Sequence, residues 1–471
     1  MSQKSSGLGQ HAIVIGGSMA GMLSARVLSG HFEQVTILER DRFPHEQPAP
    51  RRGIPQCQQL HILLTRGRQL IETLFPGLEA ELIDAGAAVI DMSADVKWLN
   101  PFGWGLRFPS GFQAFSFSRH ILDWLVYQRI TKIANVQVWE SSYVQGLLTD
   151  AAKTAVTGVC VRRRHPENPI HVWQEDLRAD LVIDASGYSS KAPKWLQAIG
   201  YEAPEETAIT TAMGYASRLY KIPQDFQADW QGVYIQAAPP HRTTMGVLYP
   251  IEDNQWIVGI CATAPDQPAA DEAAFLEVLR NLPSPDIYEA VKNAQATTPV
   301  RIYHPPGNRL RHYERLRRQP PGFLVLGDAV CSFTPIYGQG ITVAALGVNL
   351  LQQCLQQTKA DNLGQLPTDF QKQLAQVNSS AWIAATSQDA KYPSVKGLVK
   401  PLTPPEKAVG WYMDQLIRLT IQDPEVSRVL FNVFHMMKPS SDLFQPAVVF
   451  RVIKHRLLTG LSSKDSVDGV G

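Results

Sequence analysis

Two glycine-rich segments, far apart in the chain, hold the residues best suited to chemistry. The first is Ile15-Gly16-Gly17-Ser18-Met19-Ala20-Gly21. It is a variant of Gly-x-Gly-x-x-Gly in which Ser18 takes the place of the second glycine. Gly16 is suited to a tight turn, and Gly21 to a close approach of helix and strand. A helix starting here offers unpaired N–H groups and a partial positive charge to a pyrophosphate. Ser18 is small enough to allow that approach and adds a hydroxyl. Glu39 and Arg40 follow the next apolar run, about 20 residues on, where a carboxylate bonds a ribose hydroxyl. The plain reading is a chance glycine turn, and the flanking apolar runs and Glu39 weigh against it.

The second segment is Gly322-Phe-Leu-Val-Leu-Gly327-Asp328-Ala329, followed by Pro335-Ile-Tyr-Gly338-Gln339-Gly340. A short buried strand would deliver Gly327 and Asp328 to a loop, and a long apolar helix would begin near Ile341. Asp328 can accept a hydrogen bond from a ribityl hydroxyl. Backbone N–H groups at Gly338–Gly340 can reach the N1–C2=O edge of a flavin. The positive end of the following helix would stabilise negative charge on the reduced ring. Ordinary packing of a helix on a sheet explains the small residues Thr342, Ala344, Ala345 and Gly347. It does not explain Gly-Asp together with Gly-Gln-Gly. Asp184-Ala-Ser-Gly187 closes another apolar run between the two segments, and Gly187 would let backbone approach the same ligand. Together the segments point to FAD rather than NAD, with the first holding the ADP half and the second the ribityl chain and ring. Gly17, Met19, Ala20, Arg40, Val144 and Ile341 complete the candidate cofactor set.

The bulk numbers exclude several alternatives. The chain has 471 residues, 44% hydrophobic and 18% charged, enough for two to three domains. Its 44 basic and 43 acidic residues leave a net charge of +1, so no global field draws it to nucleic acid. The five cysteines (Cys57, Cys160, Cys261, Cys331 and Cys354) are dispersed without Cys-x-x-Cys spacing. That pattern predicts reduced thiols in the cytoplasm, with no disulfide framework and no metal. Residues 1–10 lack an apolar signal core, and no run approaches the ~20 apolar residues of a spanning helix. The expectation is a cytoplasmic protein, at most peripheral to a membrane.

The elements that must position these motifs are readable in outline. His11–Ile15, Met22–Leu28 and Gln34–Leu38 form a β-α-β unit. Asp41–Gln58 reads as a loop, and Leu60–Phe75, Leu78–Ala85 and Arg119–Ile133 as helices. Asp180–Ala185 reads as a buried strand. From about Thr210 the pattern changes. Met213–Tyr220, Gly232–Gln236, Thr244–Tyr249 and Trp256–Ala262 look like an antiparallel meander that presents substrate. Asp271–Arg280 is a helix. From Leu366 the chain is helical, with Trp382, Trp411, Leu416, Ile417, Leu430, Phe431, Phe434, Val449, Phe450 and Ile453 as its apolar positions. The expected fold is α/β. A discontinuous Rossmann FAD-binding domain covers 1–95, 119–195 and 320–360. An inserted mixed or antiparallel-sheet substrate domain covers 96–118 and 196–319. A C-terminal helical region covers 361–461, and 462–471 is a disordered tail.

The order of these blocks resembles the FAD-dependent monooxygenases of the para-hydroxybenzoate hydroxylase fold, which share the glutathione-reductase-type FAD domain. Within that group the chain is similar to the branch of squalene-epoxidase-like and polyether-forming polyketide epoxidases. The closer match is carried by Arg52-Gly53-Ile54-Pro55-Gln56 with Leu60-His61, by Phe75-Pro76-Gly77-Leu78, by Ser118-Arg119, and by the block Gly327–Gly340. The resemblance runs from about residue 11 to 455. It implies a monooxygenase in which NAD(P)H, or a separate reductase, reduces FAD. Oxygen then adds to give a C4a-hydroperoxide, which epoxidises or hydroxylates a lipophilic substrate. It places Arg119 at the FAD ribose or pyrophosphate and Gln56–His61 near the isoalloxazine.

Gln56 and His61 are the catalytic-side candidates, able to orient flavin or substrate. The alternative for them is a loop glutamine and a satisfied histidine. The usual Asp-Gly pair of the aromatic hydroxylases is Asp184-Ala-Ser-Gly187 here, so a dual flavin and NAD(P)H contact lacks its motif. No second Gly-x-Gly-x-x-Gly unit suggests a separate NAD(P)H domain. The arginines between Arg309 and Arg318 could dock a reductase or an acidic membrane, or form a solvated loop. The C-terminal helices could roof the site or lie on a bilayer. Three other functions stay open. One is a reductase or desaturase of isoprenoid double bonds. Another is a halogenase, whose usual Trp-x-Trp-x-Ile-Pro stretch is absent. The third is a non-catalytic lipid-binding protein, against which Glu39, Asp328 and Gly340 stand.

Overall fold

Strand Gly9–Ile15 lies at the centre of a five-stranded parallel sheet, and its residues Ala12, Ile13 and Val14 are fully buried. The computed structural model describes residues 7–165, 170–263, 267, 270–397 and 403–465. The central strand pairs with Leu181–Asp184 on one side and Phe32–Leu38 on the other. Phe323–Val325 and Val136–Trp139 form the edges. All four pairings are parallel, which explains the continuous apolar runs: such sheets are covered on both faces. The ladders end almost level, with Ile15 opposite both Leu38 and Asp184 and Asp184 opposite Val325. The loops that follow therefore emerge side by side at the carboxyl edge, where the order of an open parallel sheet reverses and ligands bind.

Helix Met19–Leu28 packs on helix Gly340–Gln357, the long apolar helix after the second glycine segment. It begins three residues before its expected start at Met22. Gly340–Gln357 in turn meets Thr65–Leu74 and the 24-residue helix Leu366–Asp389. Its contact with Thr65–Leu74 is close, because a Cβ on Gly67 would sit 2.4 Å from Thr342 Oγ1.

The helix expected over Leu60–Phe75 starts only at Thr65. Pro55–Gln58 is a single tight turn, and Ile62–Leu63 pairs as a strand with Phe115–Ser116. Tertiary pairing overrides the local helical preference there. Strand Gln113–Ser116 joins this small sheet together with Ala88–Asp91. A three-stranded antiparallel sheet, Ser142–Thr149, Val156–Arg164 and Val172–Arg178, was not expected from the sequence.

The meander is present and larger than anticipated. Seven strands run in the order Arg301–Tyr303, Met213–Lys221, Gln255–Thr263, Met245–Ile251, Gly232–Ile235, Val96–Asn100 and Gly103–Trp104. All pair antiparallel except Gly232–Ile235 with Val96–Asn100. One face buries Ala216, Leu248, Val258 and Ile260 against the helices Glu272–Arg280 and Asp286–Val291. The opposite face carries Leu219, Tyr234 and Val247 toward Leu60, Ile62 and the aromatic residues Phe431 and Phe434.

Pro404–Leu419, Pro424–Phe434 and Pro446–Asp465 complete the C-terminal helices. Thr403 and Glu406 cap the first reciprocally, and Asp423 accepts from the N–H groups of Glu425 and Val426 at the second. Leu416 is buried as expected, whereas Trp411, Phe450 and Ile453 are 50%, 65% and 48% exposed. Residues 462–465 of the expected tail continue the last helix, and 466–471 lie outside the described residues.

Candidate cofactor site

The first glycine segment is shaped by two backbone contacts. Gly16 has φ +101°, in the left-handed region that favours glycine, and a Cβ there would lie 2.6 Å from the Ala185 carbonyl oxygen. A Cβ on Gly21 would lie 1.8 Å from the Gly16 carbonyl oxygen, so helix and strand meet backbone to backbone. Ser18 precedes the helix, and its side chain makes no cap bond.

Glu39 follows the second strand and is buried. Its Oε2 accepts from the Gly17 N–H at 2.7 Å, and its Oε1 accepts from the Asp41 N–H at 2.9 Å. Oε2 also pairs with Arg51 at 2.9 Å. Arg51 is buried as well, donates to the Gly17 carbonyl at 2.8 Å, and stacks 3.9 Å over the Phe43 ring. It belongs to the site as fully as Glu39, yet it was not among the candidates. The signal was there: an arginine in a polar loop shortly after the acidic residue.

The second segment meets the first directly. A Cβ on Gly327, at φ +65°, would touch the Ala20 Cβ at 2.9 Å, and one on Gly338, at φ +63°, would touch Ile62 at 2.9 Å. Gly340 has open space beside it, with Gln339 before it and buried Ile341 after it. Burial pushes the Asp328 carboxyl up, and the Arg119 and Arg309 guanidiniums pull it back. Arg119 is itself buried, pairs with Asp123 at 2.9 Å, and reaches Ser18 Oγ at 3.4 Å. It thus bridges the two segments electrostatically.

A cavity of about 640 Å³ opens between these loops, within the range of small-molecule and cofactor sites. Of the candidates, Gly16, Ser18, Glu39, Arg40, Gln56, Val144, Gly187, Asp328 and Pro335 line it. Gly17, Met19, Ala20, Gly21, Arg119, Gly327, Gly338, Gln339, Gly340 and Ile341 are not in its lining. Asp184 is turned inward. Its carboxylate accepts from the Ser186 N–H at 2.9 Å and the Ser190 hydroxyl at 2.5 Å, and burial pushes it up. Its role is to brace the loop whose Ala185, Ser186 and Gly187 face the cavity.

His61 is not in the lining. Its Nδ1 lies 2.9 Å from the Gln59 carbonyl oxygen. Burial, and then the Arg119 charge, lower its pKa to about 3. The ring is neutral, with Nδ1–H donating to that carbonyl and Nε2 left as an acceptor. Gln59, a second residue missed, accepts from the Ser217 hydroxyl at 2.8 Å and donates to the Arg301 carbonyl at 3.1 Å. It pins the Gln56–His61 segment to the seven-stranded sheet.

The arginine run is not a free basic patch. Arg309 and Arg311 are buried, with Glu206 3.5 Å from each. Arg311 also donates to the Ser190 carbonyl at 3.2 Å, and Arg309 lies 3.8 Å over the Tyr188 ring. Arg315 and Arg317 face Glu205 and Glu202.

These residues fit FAD. Arg40, Arg51 and Lys191 give the lining cationic groups suited to a diphosphate. Ser186 and Ser332 line the same cavity, and their hydroxyls are buried without a hydrogen-bond partner. Such orphaned groups call for a polar ligand.

A family model described as "FAD binding domain" matches residues 10–358. The chain belongs to this family. It is an FAD-dependent oxidoreductase. The chain is also similar to Protein Rv3254 of Mycobacterium tuberculosis, at 28% identity over 456 residues, covering 95% of this chain and 94% of that protein. Among solved structures it is similar to the flavin-dependent brominase Bmp2, with TM-score 0.66 and 14% identity over 96% of this chain and 100% of that one. It is also similar to the p-nitrophenol 4-monooxygenase PnpA of Pseudomonas putida, with TM-score 0.59 and 16% identity over 90% of this chain and 97% of that one. At such identities the likeness shows the fold: a parallel-sheet FAD domain, further sheets and a C-terminal helical region. Among the described residues no helix is long and apolar enough to cross a membrane, and no His/Cys/Asp/Glu group could hold a metal ion.

Proposed function

We propose that the protein is a monooxygenase that inserts one atom of O2 into a lipophilic substrate, by epoxidation or hydroxylation. Electrons come from NAD(P)H or from a separate reductase. In this reading Gly16, Ser18 and the start of helix Met19–Leu28 hold the pyrophosphate, with Arg119 behind them. Glu39, kept in place by Arg51, takes the ribose hydroxyls. Asp328 takes the ribityl chain, and the backbone of Gly338–Gly340 meets the ring edge. FAD, once bound and reduced, supplies the activation of O2.

The observation that carries the reading is the apolar wall packed around Leu60 and Ile62, at the end of the Gln56–His61 segment. Leu219, Tyr234 and Val247 of the sheet, Leu60, Trp98, Phe112 and Phe434 are only half-buried, and none carries a fixed charge. Burial raises the Tyr234 and Tyr249 phenols far above their ordinary value, so both stay neutral. Such a wall accepts an apolar substrate and keeps water from the reacting centre. His61 contributes as a neutral ring, holding its proton on Nδ1 and offering Nε2 as a hydrogen-bond acceptor.

The test begins with the visible spectrum of the purified protein. Anaerobic reduction and rapid mixing with O2 follow, with and without apolar alkenes or aromatics. A transient absorbing between reduced and oxidised flavin, with oxygenated product, is the expected result. Reoxidation without transient or oxygenated product, together with reduction of isoprenoid double bonds, would replace this reading with hydride transfer.

A further inference from the structure

The loop that this reading sets against the flavin ring is tied at its start, through buried Thr334, to two buried side chains from distant segments. Asp389 is the last residue of helix Leu366–Asp389 and is fully buried. Its carboxylate accepts from the Thr334 hydroxyl at 3.0 Å and from Asn308 Nδ2 at 2.5 Å. Asn308 Oδ1 accepts from the Thr334 N–H at 2.7 Å, which closes the ring of bonds. Thr334 and Asn308 are 1% and 2% exposed. Both donors of Thr334 are thus committed, and the next residue, Pro335, lines the cavity.

A carboxylate is a costly choice here. The C-terminal end of a helix disfavours negative charge, and burial removes its hydration. A helix end needing only to pack would carry an apolar or basic residue. A second contact follows one turn later. The Tyr392 N–H donates to the Asp389 carbonyl at 3.1 Å, and the buried Tyr392 ring belongs to the cluster of Met213, Met245 and Cys261 against which Ile336 packs. One helix end therefore grips Thr334 by hydrogen bonds and Ile336 by packing, on either side of Pro335.

We propose that Asp389 is a positioning residue for the flavin. Through Thr334 and Asn308 it sets the height of the Pro335–Gly340 loop, and so the distance between the backbone N–H groups of that loop and the ring. The inference rests on the reading that this loop faces the FAD ring. Those N–H groups favour the reduced, negatively charged ring over the oxidised one, so the residue is expected to act on redox balance more than on cofactor retention.

The experiment uses the full-length holoprotein and the variants Asp389→Asn, Thr334→Val and Thr334→Ser. Reduction potential is read by photoreduction against a reference dye, and FAD dissociation by titration of the apoprotein. Asp389→Asn and Thr334→Val are expected to lower the preference for reduced over oxidised FAD about tenfold, ~30 mV more negative for a two-electron couple. They should shift the visible flavin band and change FAD dissociation less than threefold. Thr334→Ser keeps both donors and is expected to retain the wild-type potential. If Asp389→Asn does not fold, Thr334→Val, which is isosteric and loses only the hydroxyl bond, carries the test. Wild-type potential and spectrum in Thr334→Val and in any folded Asp389→Asn, with lowered melting temperature alone, would overturn the proposal and leave a structural brace. Failure of the wild-type apoprotein to bind FAD would instead overturn the reading of the site.

Discussion

Replacing Gly21 with alanine tests the placement of the pyrophosphate turn most sharply. Two effects of opposite sign compete. Alanine is the better helix former by about 1 kcal/mol, and Gly21 lies in the first turn of helix Met19–Leu28. Against this, the new Cβ would lie 1.8 Å from the Gly16 carbonyl oxygen, 2.9 Å from its carbon and 3.3 Å from Val14 Cγ1. Non-bonded heavy atoms settle at about 3.5 Å, so one partner must retreat by roughly 1.5 Å. Gly16 cannot. Its N–H is bonded to the Leu38 carbonyl at 2.9 Å, and its own Cβ direction is closed by the Ala185 carbonyl. The helix must move instead, and it takes the amides of its first turn with it.

Overpacking against unyielding backbone costs about 1–3 kcal/mol, more than the propensity gain. A receding helix terminus forfeits about 1–2 kcal/mol of interaction with a bound anion. The expected result is a roughly five- to thirtyfold rise in the FAD dissociation constant, read by flavin fluorescence titration of the apoprotein. The stabilisation conferred by saturating FAD should shrink by the same ~1–2 kcal/mol. Gly410→Ala is the matched control: it lies in helix Pro404–Leu419 with nothing within 4 Å of its Cβ position, so only the propensity gain remains. Gly21→Ala binding FAD within twofold of wild type, at unchanged melting temperature, would refute the backbone-to-backbone contact and with it the placement of the turn.

Asp328→Ala should raise the FAD dissociation constant about tenfold, the worth of one charge-assisted hydrogen bond, in the same titration. An unchanged constant would remove Asp328 from the ribityl position. Arg51→Met should cost roughly 3–5 kcal/mol of stability in chemical denaturation, because it leaves the Glu39 carboxylate buried without its cation. A loss under ~0.5 kcal/mol would mean the two N–H groups on Glu39 suffice. Acidification should also destabilise the fold. His61 and His435 have folded pKa values lowered from 6.5 to about 3 and about 4. The unfolded chain therefore binds their protons first. Their stability contribution is whole above pH 6.5 and is lost as pH falls, until it levels off near the folded values. Between pH 7 and pH 5 each histidine should cost about 2 kcal/mol, from ~1.4 kcal/mol per pH unit. In His435→Phe the loss of stability over that range, read by urea denaturation, should be smaller than in the wild type by about 2 kcal/mol, and an undiminished loss would exclude the histidine as the cause.

Legibility in the sequence followed the range of the interaction. Gly16 and Gly327 announce themselves because a positive φ is a demand one residue makes of its own backbone. The apolar strands were readable because both faces of a parallel sheet are covered, whichever strand lies beside them. Contacts between residues far apart in the chain were not readable. Gln59 finds Ser217, and Asn308 finds Asp389, only when the seven-stranded sheet and the C-terminal helix arrive. The helix expected over Leu60–Phe75 lost its first turn for the same reason: Ile62–Leu63 found a strand partner at Phe115–Ser116.

Charge shows the same limit from the other side. Between Arg309 and Arg318 the sequence shows five cations and one acid, which reads as a solvated loop or as a dock for a reductase or an acidic membrane. Arg309 and Arg311 have internal partners. Strand Glu206–Thr210 pairs antiparallel with Asn308–Arg311, which brings Glu206 opposite Arg311 and places Glu205 and Glu202 near Arg315 and Arg317. Once so neutralised, Arg309 and Arg311 can stay buried beside the Tyr188–Ser190 loop, behind the cavity wall. Asp328 shows what that achieves. Burial alone would drive its carboxyl toward the neutral form, and the guanidiniums of Arg119 and Arg309 oppose this from two separate elements. The cation that sequence alone would offer to an outside partner is therefore spent inside, on the charge of the residue set to hold the ribityl chain.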